Sequence, residues 1–161
     1  MEDPQGLSAR LAAFVADTEF ADLPAGTVEV TKQCLLDAIG VSLAASGLGE
    51  GCQAFVDLAL SQGGKPTCTV FGMPHRLPVE AAAFVNGAMA HAMDYEDAHD
   101  GMLLHPNAPT VPAALAIAEA TGGVSGKELI AALAIGCDVA VRLAQGLRAS
   151  LPDFGDRKSV V

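Results

Sequence analysis

Aromatic side chains are scarce in this 161-residue chain, which has no tryptophan, one tyrosine and an aromatic content of 4%. Charged residues are also few, at 17%, whereas hydrophobic residues reach 51%. This balance excludes an intrinsically disordered protein, because so apolar a chain of this length can bury a core. With the aromatics missing, the apolar volume is mostly alanine, valine and leucine, a composition that favours closely packed helices.

Positive charge is the second shortage. Nine lysines and arginines stand against 19 acids, which gives a formal net charge of −10. Such a balance argues against nucleic acid as a partner. It also means that an anionic substrate would need much of its binding charge from outside this chain.

Long apolar runs and paired cysteines are missing as well. Apolar stretches are broken by glycine, proline or charge, and the acidic start Met1–Pro4 is unlike a signal peptide. We therefore expect a cytoplasmic protein with no membrane partner. The cysteines form no CxxC pair and lie in apolar sequence, so we interpret them as small hydrophobic side chains. They are Cys34, Cys52, Cys68 and Cys137.

Apolar periodicity predicts an all-α helical bundle over residues 1–150 with at most one short strand, at 67–71. Thr110 is expected to cap the fifth helix after a loop over 98–110, and Ser125 and Glu128 form a capping box for the sixth. A frayed tail is expected at 151–161. The predicted helices cover residues 6–18, about 24–45, 50–61, 78 to 96 or 97, 113–121 and 125 onward.

One polar segment stands apart, at residues 91–105. It holds three of the four histidines and four acids within fifteen residues. If the preceding helix persists, His91, Asp94 and Ala98 share one face. Imidazoles beside carboxylates suit general acid–base catalysis, but a helix end that exposes a polar cluster would look the same. The residues alone leave both interpretations open.

The run NGAMAHAMDYEDAHD…HPNAPTVPAALAIAE resembles the signature of the MmgE/PrpD family, in which an alanine-rich helix leads into an acidic motif and a His-Pro turn. Three other stretches, CLLDAIGVSLAASG, GKPTCTVFG and SGKELIAALAIGCDVAVRL, resemble the family in order and spacing. The resemblance extends from residue 7 to about 147. It implies the N-terminal helical domain of that family, without cofactor or bound metal, in a protein that is typically a homodimer.

The family includes 2-methylcitrate dehydratase, cis-aconitate decarboxylase and iminodisuccinate epimerase, which share proton removal or addition at a carbon beside a carboxylate. The resemblance therefore implies a lyase acting on a small di- or tricarboxylate, and 2-methylcitrate dehydration is the expected reaction. It implies catalytic roles for Asp94, which would position substrate or a histidine, and for His105, as proton carrier or substrate ligand. We expect His91, Asp97 and His99 to bind substrate.

Two residues depart from the family motif, since Ala98 replaces a threonine and Glu96 stands where aspartate is usual. Family members also continue beyond this point with a second active-site histidine, further lysines and a lid domain, and none of these parts is found in this sequence. The segment 151–161 does not resemble the family. We therefore expect the chain to be incomplete alone, with a second chain or a homo-oligomer supplying what it lacks.

Two other functions fit the sequence. The first is a non-catalytic helical remnant or interaction subunit with the family's fold. The second is a metal-dependent hydrolase that uses His91, Asp94, His99 and His105 as ligands, because imidazole and carboxylate groups at such spacings can bind a divalent ion.

Overall fold

A computed structural model describes residues 6–101 and 104–147 of the chain. Within these ranges it contains six α-helices, one short 3₁₀ helix (Phe20–Asp22) and a two-stranded hairpin, which confirms the all-α prediction. The predicted frayed tail at 151–161 lies outside the described residues. The helices are α1 (Gly6–Asp17), α2 (Ala25–Leu48), α3 (Cys52–Gln62), α4 (Val79–His91), α5 (Asn107–Ala120) and α6 (Gly126–Leu147), and the strands are β1 (Cys68–Thr69) and β2 (Arg76–Leu77).

Helix α4 lies at the centre of the bundle. It packs most extensively against α5 and also contacts α2 and α3. Val85 and Met89 on α4 are fully buried with Val56 of α3. A second small cluster, built on Ala38, Val111 and Leu133, joins α2, α5 and α6. The many alanines at these contacts allow the helices to approach closely, as the composition predicted.

The hairpin is fastened to α4 by a buried polar side chain. Asn86 accepts a hydrogen bond from the backbone N–H of Phe71 at 2.9 Å and donates one to the backbone carbonyl of Thr69 at 2.9 Å. Both groups would otherwise lack a partner in the strand ladder, and an unpaired buried group is costly. The predicted strand at 67–71 is therefore present in shortened form, paired with a partner strand that the sequence did not reveal.

Two predicted helix ends were wrong. Helix α4 ends at His91 instead of reaching Glu96 or Asp97, because Asp94 adopts a left-handed backbone conformation with φ 54° that a helix cannot continue through. Helix α5 begins at Asn107, so Thr110 lies within its first turn and does not cap it. The Thr110 hydroxyl donates to the carbonyl of Pro106 at 2.6 Å, and the predicted loop is correspondingly shorter.

Helix α6 begins at the predicted capping box. Ser125 N–H donates to the Glu128 carboxylate at 2.8 Å, and Glu128 N–H donates to the Ser125 hydroxyl at 3.2 Å. Close packing against α5 follows at Gly136, where an added Cβ would lie 2.6 Å from Cγ2 of Thr110. Glycine is therefore required for the two helices to approach this closely.

The expectation that every apolar stretch falls short of a membrane span does not hold for α6. The segment Gly126–Gly146 is long and apolar enough to cross a membrane, with a mean hydropathy of 1.6, because the helix continues through Gly136 and Asp138. Only 17% of its most apolar part is buried in the bundle. Core helices of soluble proteins satisfy the same criterion, so one such helix is weak evidence for a membrane protein.

Candidate active site

Four polar side chains converge where α4 ends and α5 approaches. His91, Asp94, Glu96 and His105 each place a nitrogen or oxygen atom within 4.8 Å of the others. His91 is the last residue of α4, and His105 lies just before α5 begins. We call these four residues the His–carboxylate cluster. It brings together both predicted catalytic residues and one of the predicted substrate-binding residues.

The backbone turn at Asp94 builds one side of the cluster. The Ala92 N–H donates to the carbonyl of Met89 and the Asp94 N–H to that of His91, both at 3.3 Å, so the last helical turn tightens before the chain reverses. Among the described residues, Asp94 is the only one other than glycine with a positive φ, a conformation that aspartate tolerates better than most residues. Its side chain is 72% exposed and is therefore accessible to a ligand.

Glu96 lies at the bottom of the cluster, with its side chain completely buried. One of its oxygens, Oε1, contacts Nδ1 of His91 and lies 3.3 Å from Nδ1 of His105. The other oxygen, Oε2, is buried and has no hydrogen-bond partner within residues 6–101 and 104–147. A buried carboxylate that contacts two imidazoles holds both rings in place from below.

His105 connects the cluster to the loop before it. Its Nδ1 lies 3.1 Å from the backbone carbonyl of Asp97, and its Nε2 lies 3.8 Å from Oδ1 of Asp94. The ring is tilted by 55° against that of His91, with their centroids 4.9 Å apart. His105 therefore directs one nitrogen towards buried acceptors and the other towards the exposed carboxylate.

Asp97 is held from the opposite side. Asn107, buried at the start of α5, donates to Oδ2 of Asp97 at 2.9 Å and accepts a hydrogen bond from the thiol of Cys137 at 3.0 Å. Burial, and secondarily the negative charge of Asp97, raises the pKa of the Cys137 thiol to about 11. The pKa of Cys34 is raised by the same two causes, with a further contribution from Asp37. These thiols are therefore neutral near pH 7, in line with the interpretation of the cysteines as packing residues.

His99 lies outside the His–carboxylate cluster. Its ring atom Nδ1 accepts a hydrogen bond from the backbone N–H of Gly101 at 3.1 Å. The backbone N–H of His99 donates to the carbonyl of Leu104 at 3.0 Å. Asp97 contacts the cluster through its backbone carbonyl. Substrate-binding roles for these two residues therefore stay predictions.

Sequence reasoning did not select Glu96 as a site residue. Asp94, Glu96 and Asp97 are all acids within four positions, and only the turn at Asp94 decides which of them is turned inward. The signal available in the sequence was the replacement of the family's usual aspartate by glutamate at this position. The longer side chain reaches both imidazole rings from a buried position.

A cleft of about 350 Å³ opens beside the turn. The neighbours of Asp94 on both sides, Met93 and Tyr95, line it together with residues of α2, namely Asp37, Gly40, Val41 and Ala44. A cleft of this size falls within the range of small-molecule sites. Its wall is mostly apolar, and polar contacts to a ligand would come from Asp37 and from the neighbouring cluster.

Comparison with known proteins is consistent with this geometry. The family model described as the MmgE/PrpD N-terminal domain matches residues 9–156, and this range contains the whole His–carboxylate cluster. The chain belongs to the MmgE/PrpD family. The matched range extends beyond residue 147, where the resemblance in the motifs ended.

Several curated relatives of this MmgE/PrpD chain are cis-aconitate decarboxylases. The chain is 31% identical to cis-aconitate decarboxylase of Mus musculus over 139 residues, which is 82% of this chain and 28% of the relative. It is 29% identical to cis-aconitate decarboxylase-like protein oryM of Aspergillus oryzae over 153 residues, 89% of this chain and 31% of the relative. It is 25% identical to cis-aconitate decarboxylase of Aspergillus terreus over 149 residues, which is 90% of this chain and 30% of the relative. The chain thus spans about 30% of the length of these relatives.

Two kinds of chemistry are open to such a cluster. Imidazole rings next to carboxylates can accept and return a proton at a bound substrate. The same donors, two imidazoles and two carboxylates within 4.8 Å of one another, could also hold a divalent metal ion. The cluster itself contributes no positive charge other than that of a protonated imidazole.

Proposed function

We propose that this chain forms the helical domain of an MmgE/PrpD lyase and contributes part of its proton-transfer site for a small di- or tricarboxylate. The observation that carries the proposal is the position of His105 Nε2 beside the exposed carboxylate of Asp94, with the opposite ring nitrogen directed at buried acceptors. A histidine fixed in this way can transfer a proton to or from a substrate that lies over Asp94.

Charge supports a composite site. A di- or tricarboxylate needs cations, and the chain carries a net charge of −10. Three of its positive side chains form ion pairs away from the cluster, namely Lys32–Glu29, Arg76–Glu119 and Arg142–Asp138. We therefore propose that a second copy or another polypeptide supplies cations that bind the substrate carboxylates.

The names of the relatives bear on the reaction. The resemblance led us to expect 2-methylcitrate dehydration, whereas the relatives described above are named as acting on cis-aconitate by decarboxylation. Both reactions change the protonation of a carbon next to a carboxylate. We propose cis-aconitate decarboxylation as the first reaction to assay and 2-methylcitrate dehydration as the second.

The test is to assay the chain alone and together with a polypeptide that carries the remaining part of the enzyme. Consumption of cis-aconitate is followed by chromatography, and dehydration of 2-methylcitrate by the ultraviolet absorbance of the new conjugated double bond. We expect negligible turnover by the chain alone. In the complete assembly, Asp94→Asn and His105→Ala should each lower kcat by roughly 10²- to 10⁴-fold, the usual contribution of a positioned acid or base.

Two matched controls lie outside the cluster. Asp100→Asn changes an exposed loop acid, and His75→Ala changes a histidine next to β2, so both should leave kcat within about threefold. Turnover by the chain alone, or an assembly indifferent to both cluster substitutions, would contradict the proposal. A well-folded assembly without activity on either substrate would favour the alternative of a non-catalytic interaction subunit.

Metal-dependent hydrolysis is the second candidate, and one observation favours it. Three of the four predicted ligands, His91, Asp94 and His105, lie together with Glu96 in place of His99. Calorimetric titration of the chain with Zn²⁺ and Mn²⁺ tests this candidate. One equivalent bound at micromolar or lower dissociation constant, and lost in both His91→Ala and His105→Ala, would support a metal site. Binding that survives both substitutions would count against it.

A further inference from the structure

The buried oxygen Oε1 of Glu96 contacts two imidazole rings, and in each ring the contacting nitrogen is Nδ1. It contacts Nδ1 of His91 and lies 3.3 Å from Nδ1 of His105. As a carboxylate oxygen, Oε1 can accept hydrogen bonds from two donors at once. The shared contact is therefore satisfied when both rings carry their proton on Nδ1.

A second acceptor fixes the same choice at His105. Its Nδ1 also lies 3.1 Å from the backbone carbonyl oxygen of Asp97, and a carbonyl oxygen has no proton to donate. Nδ1 must therefore be the donor in this contact. In the neutral ring, the lone pair is then on Nε2, which is the nitrogen 3.8 Å from Asp94.

His99 provides a contrast within the same loop. Its Nδ1 accepts a hydrogen bond from the Gly101 N–H, so this nitrogen must carry the lone pair and Nε2 the proton when the ring is neutral. Two histidines of the segment are thus held in one tautomer and the third in the other. This opposite arrangement follows from their hydrogen-bond partners and not from the sequence spacing.

We infer that Glu96 is a positioning residue that holds His91 and His105 with Nδ1 protonated, so that the basic Nε2 of His105 faces Asp94 and the substrate. This inference rests on the proposed function in one respect, namely that the His–carboxylate cluster is the catalytic site. A carboxylate that orients an imidazole and fixes its tautomer is an established device for making the opposite nitrogen the proton carrier. Because the Glu96 side chain is completely buried, water does not compete with the two rings for its hydrogen bonds.

The test is nitrogen-15 NMR of the full chain without substrate, at a pH where the rings are neutral. Long-range proton–nitrogen correlations distinguish the two tautomers of each ring, and single His→Gln variants assign the four histidines. We expect the Nδ1–H form for His91 and His105 and the Nε2–H form for His99. An Nε2–H form at His105 or His91 in the wild-type chain would overturn the inference, whatever the variants do.

Glu96→Leu tests whether Glu96 is the cause. It fills a similar volume without an acceptor, and we expect His91 to lose its preference for the Nδ1–H form while His99 is unchanged. If this variant does not fold, as judged by circular dichroism, Glu96→Ala provides the same readout. Retention of the Nδ1–H preference at His91 in the folded variant would overturn the inference. Glu119→Leu is the matched control, because Glu119 also accepts hydrogen bonds, from Thr69 and Arg76, at the hairpin.

Activity gives a second readout in the complete assembly. Glu96→Leu should lower kcat by roughly 10- to 100-fold with KM within about threefold, because the Asp97 carbonyl still holds Nδ1 of His105, and Glu96→Asp, which keeps a carboxylate, should recover part of the loss. An equal loss in both variants, or an effect on KM alone, would contradict the positioning role. Because the tautomers are measured without substrate, they can be correct while the proposed reaction is wrong, and the two failures are distinguishable.

Discussion

The Nε2 atom of His105 lies 3.8 Å from Oδ1 of Asp94, a residue whose own backbone is held in the left-handed region at φ 54°. The turn and the contact belong together, because the reversal at Asp94 is what brings its carboxylate back over the ring. A regular helix through this position would have carried Asp94 away along the axis of α4. The site is thus built at the end of a helix by a conformation that most side chains disfavour.

The backbone conformation of Asp94 should be separable from its carboxylate. Asp94→Gly removes the steric cost of positive φ, so the free energy of unfolding should stay unchanged or rise by up to about 1 kcal/mol. Asp94→Ala keeps that cost without a polar side chain to offset it, and should lower stability by roughly 1 kcal/mol. Urea unfolding followed by circular dichroism measures both. Asp100→Gly and Asp100→Ala are the controls, and equal effects of glycine and alanine at position 94 would show that the turn is not strained.

Close packing between α5 and α6 gives a prediction about stability. Gly136→Ala would place a Cβ 2.6 Å from Cγ2 of Thr110 and should lower the free energy of unfolding by about 1–3 kcal/mol. Thr110→Ser removes that methyl group and keeps the hydroxyl that donates to Pro106, so the double variant should recover most of the loss.

The matched control is Gly40→Ala in α2, where an added Cβ meets no atom within 4 Å. It should stabilise the chain by about 0.5–1 kcal/mol, since alanine is the better helix former. Additive effects of Gly136→Ala and Thr110→Ser in the thermodynamic cycle would show that the two helices do not meet at these residues.

The thiol of Cys137 should make stability depend on alkaline pH. Its pKa rises from the ordinary 9.0 to about 11 in the folded chain, mainly through burial and then through the charge of Asp97. Below pH 9 both folded and unfolded thiols are protonated and the stability is unaffected. Between about pH 9 and 11 only the unfolded chain loses the proton, so the free energy of unfolding falls, by on the order of 1 kcal/mol for this partly exposed group.

The comparison that isolates this effect is between wild type and Cys137→Ala. The variant loses the hydrogen bond to Asn107 at every pH, but its stability should fall less steeply than that of wild type between about pH 9 and 11. Parallel pH dependences would show that another group causes the alkaline loss. Chemical denaturation at four or five pH values is sufficient for the measurement.

Much of the fold could be predicted because its signals are local. The capping box at Ser125 and Glu128 indicates where α6 begins, and the spacing of apolar residues in the long segments predicts that they are helical. The end of α4 could not be read in the same way. No glycine or proline lies between Ala88 and Asp100 to mark the end of the helix, and the left-handed turn at Asp94 depends on how the loop packs against α5.

Three of the four residues of the His–carboxylate cluster were predicted as site residues, but Glu96 and the arrangement of the cluster were not. Asp94 and His105 were selected through the family resemblance, and His91 joins them in space. His99 and Asp97 were expected to bind substrate, and these roles stay predictions: the His99 ring accepts from Gly101 and the Asp97 carboxylate from Asn107, outside the cluster. The burial of Glu96 depends on long-range packing, which the spacing of three acids along the chain does not encode.

All members of the His–carboxylate cluster lie between residues 91 and 105, with His91 at the end of α4 and the others in the connection between α4 and α5. Bringing them together requires the closure of one small loop and the pairing of two adjacent helices, which costs far less chain entropy than joining distant segments. Contacts this local in sequence are also the kind that form rapidly. We therefore expect that the imidazoles and carboxylates can come together during folding before the outer helices α1 and α6 have docked.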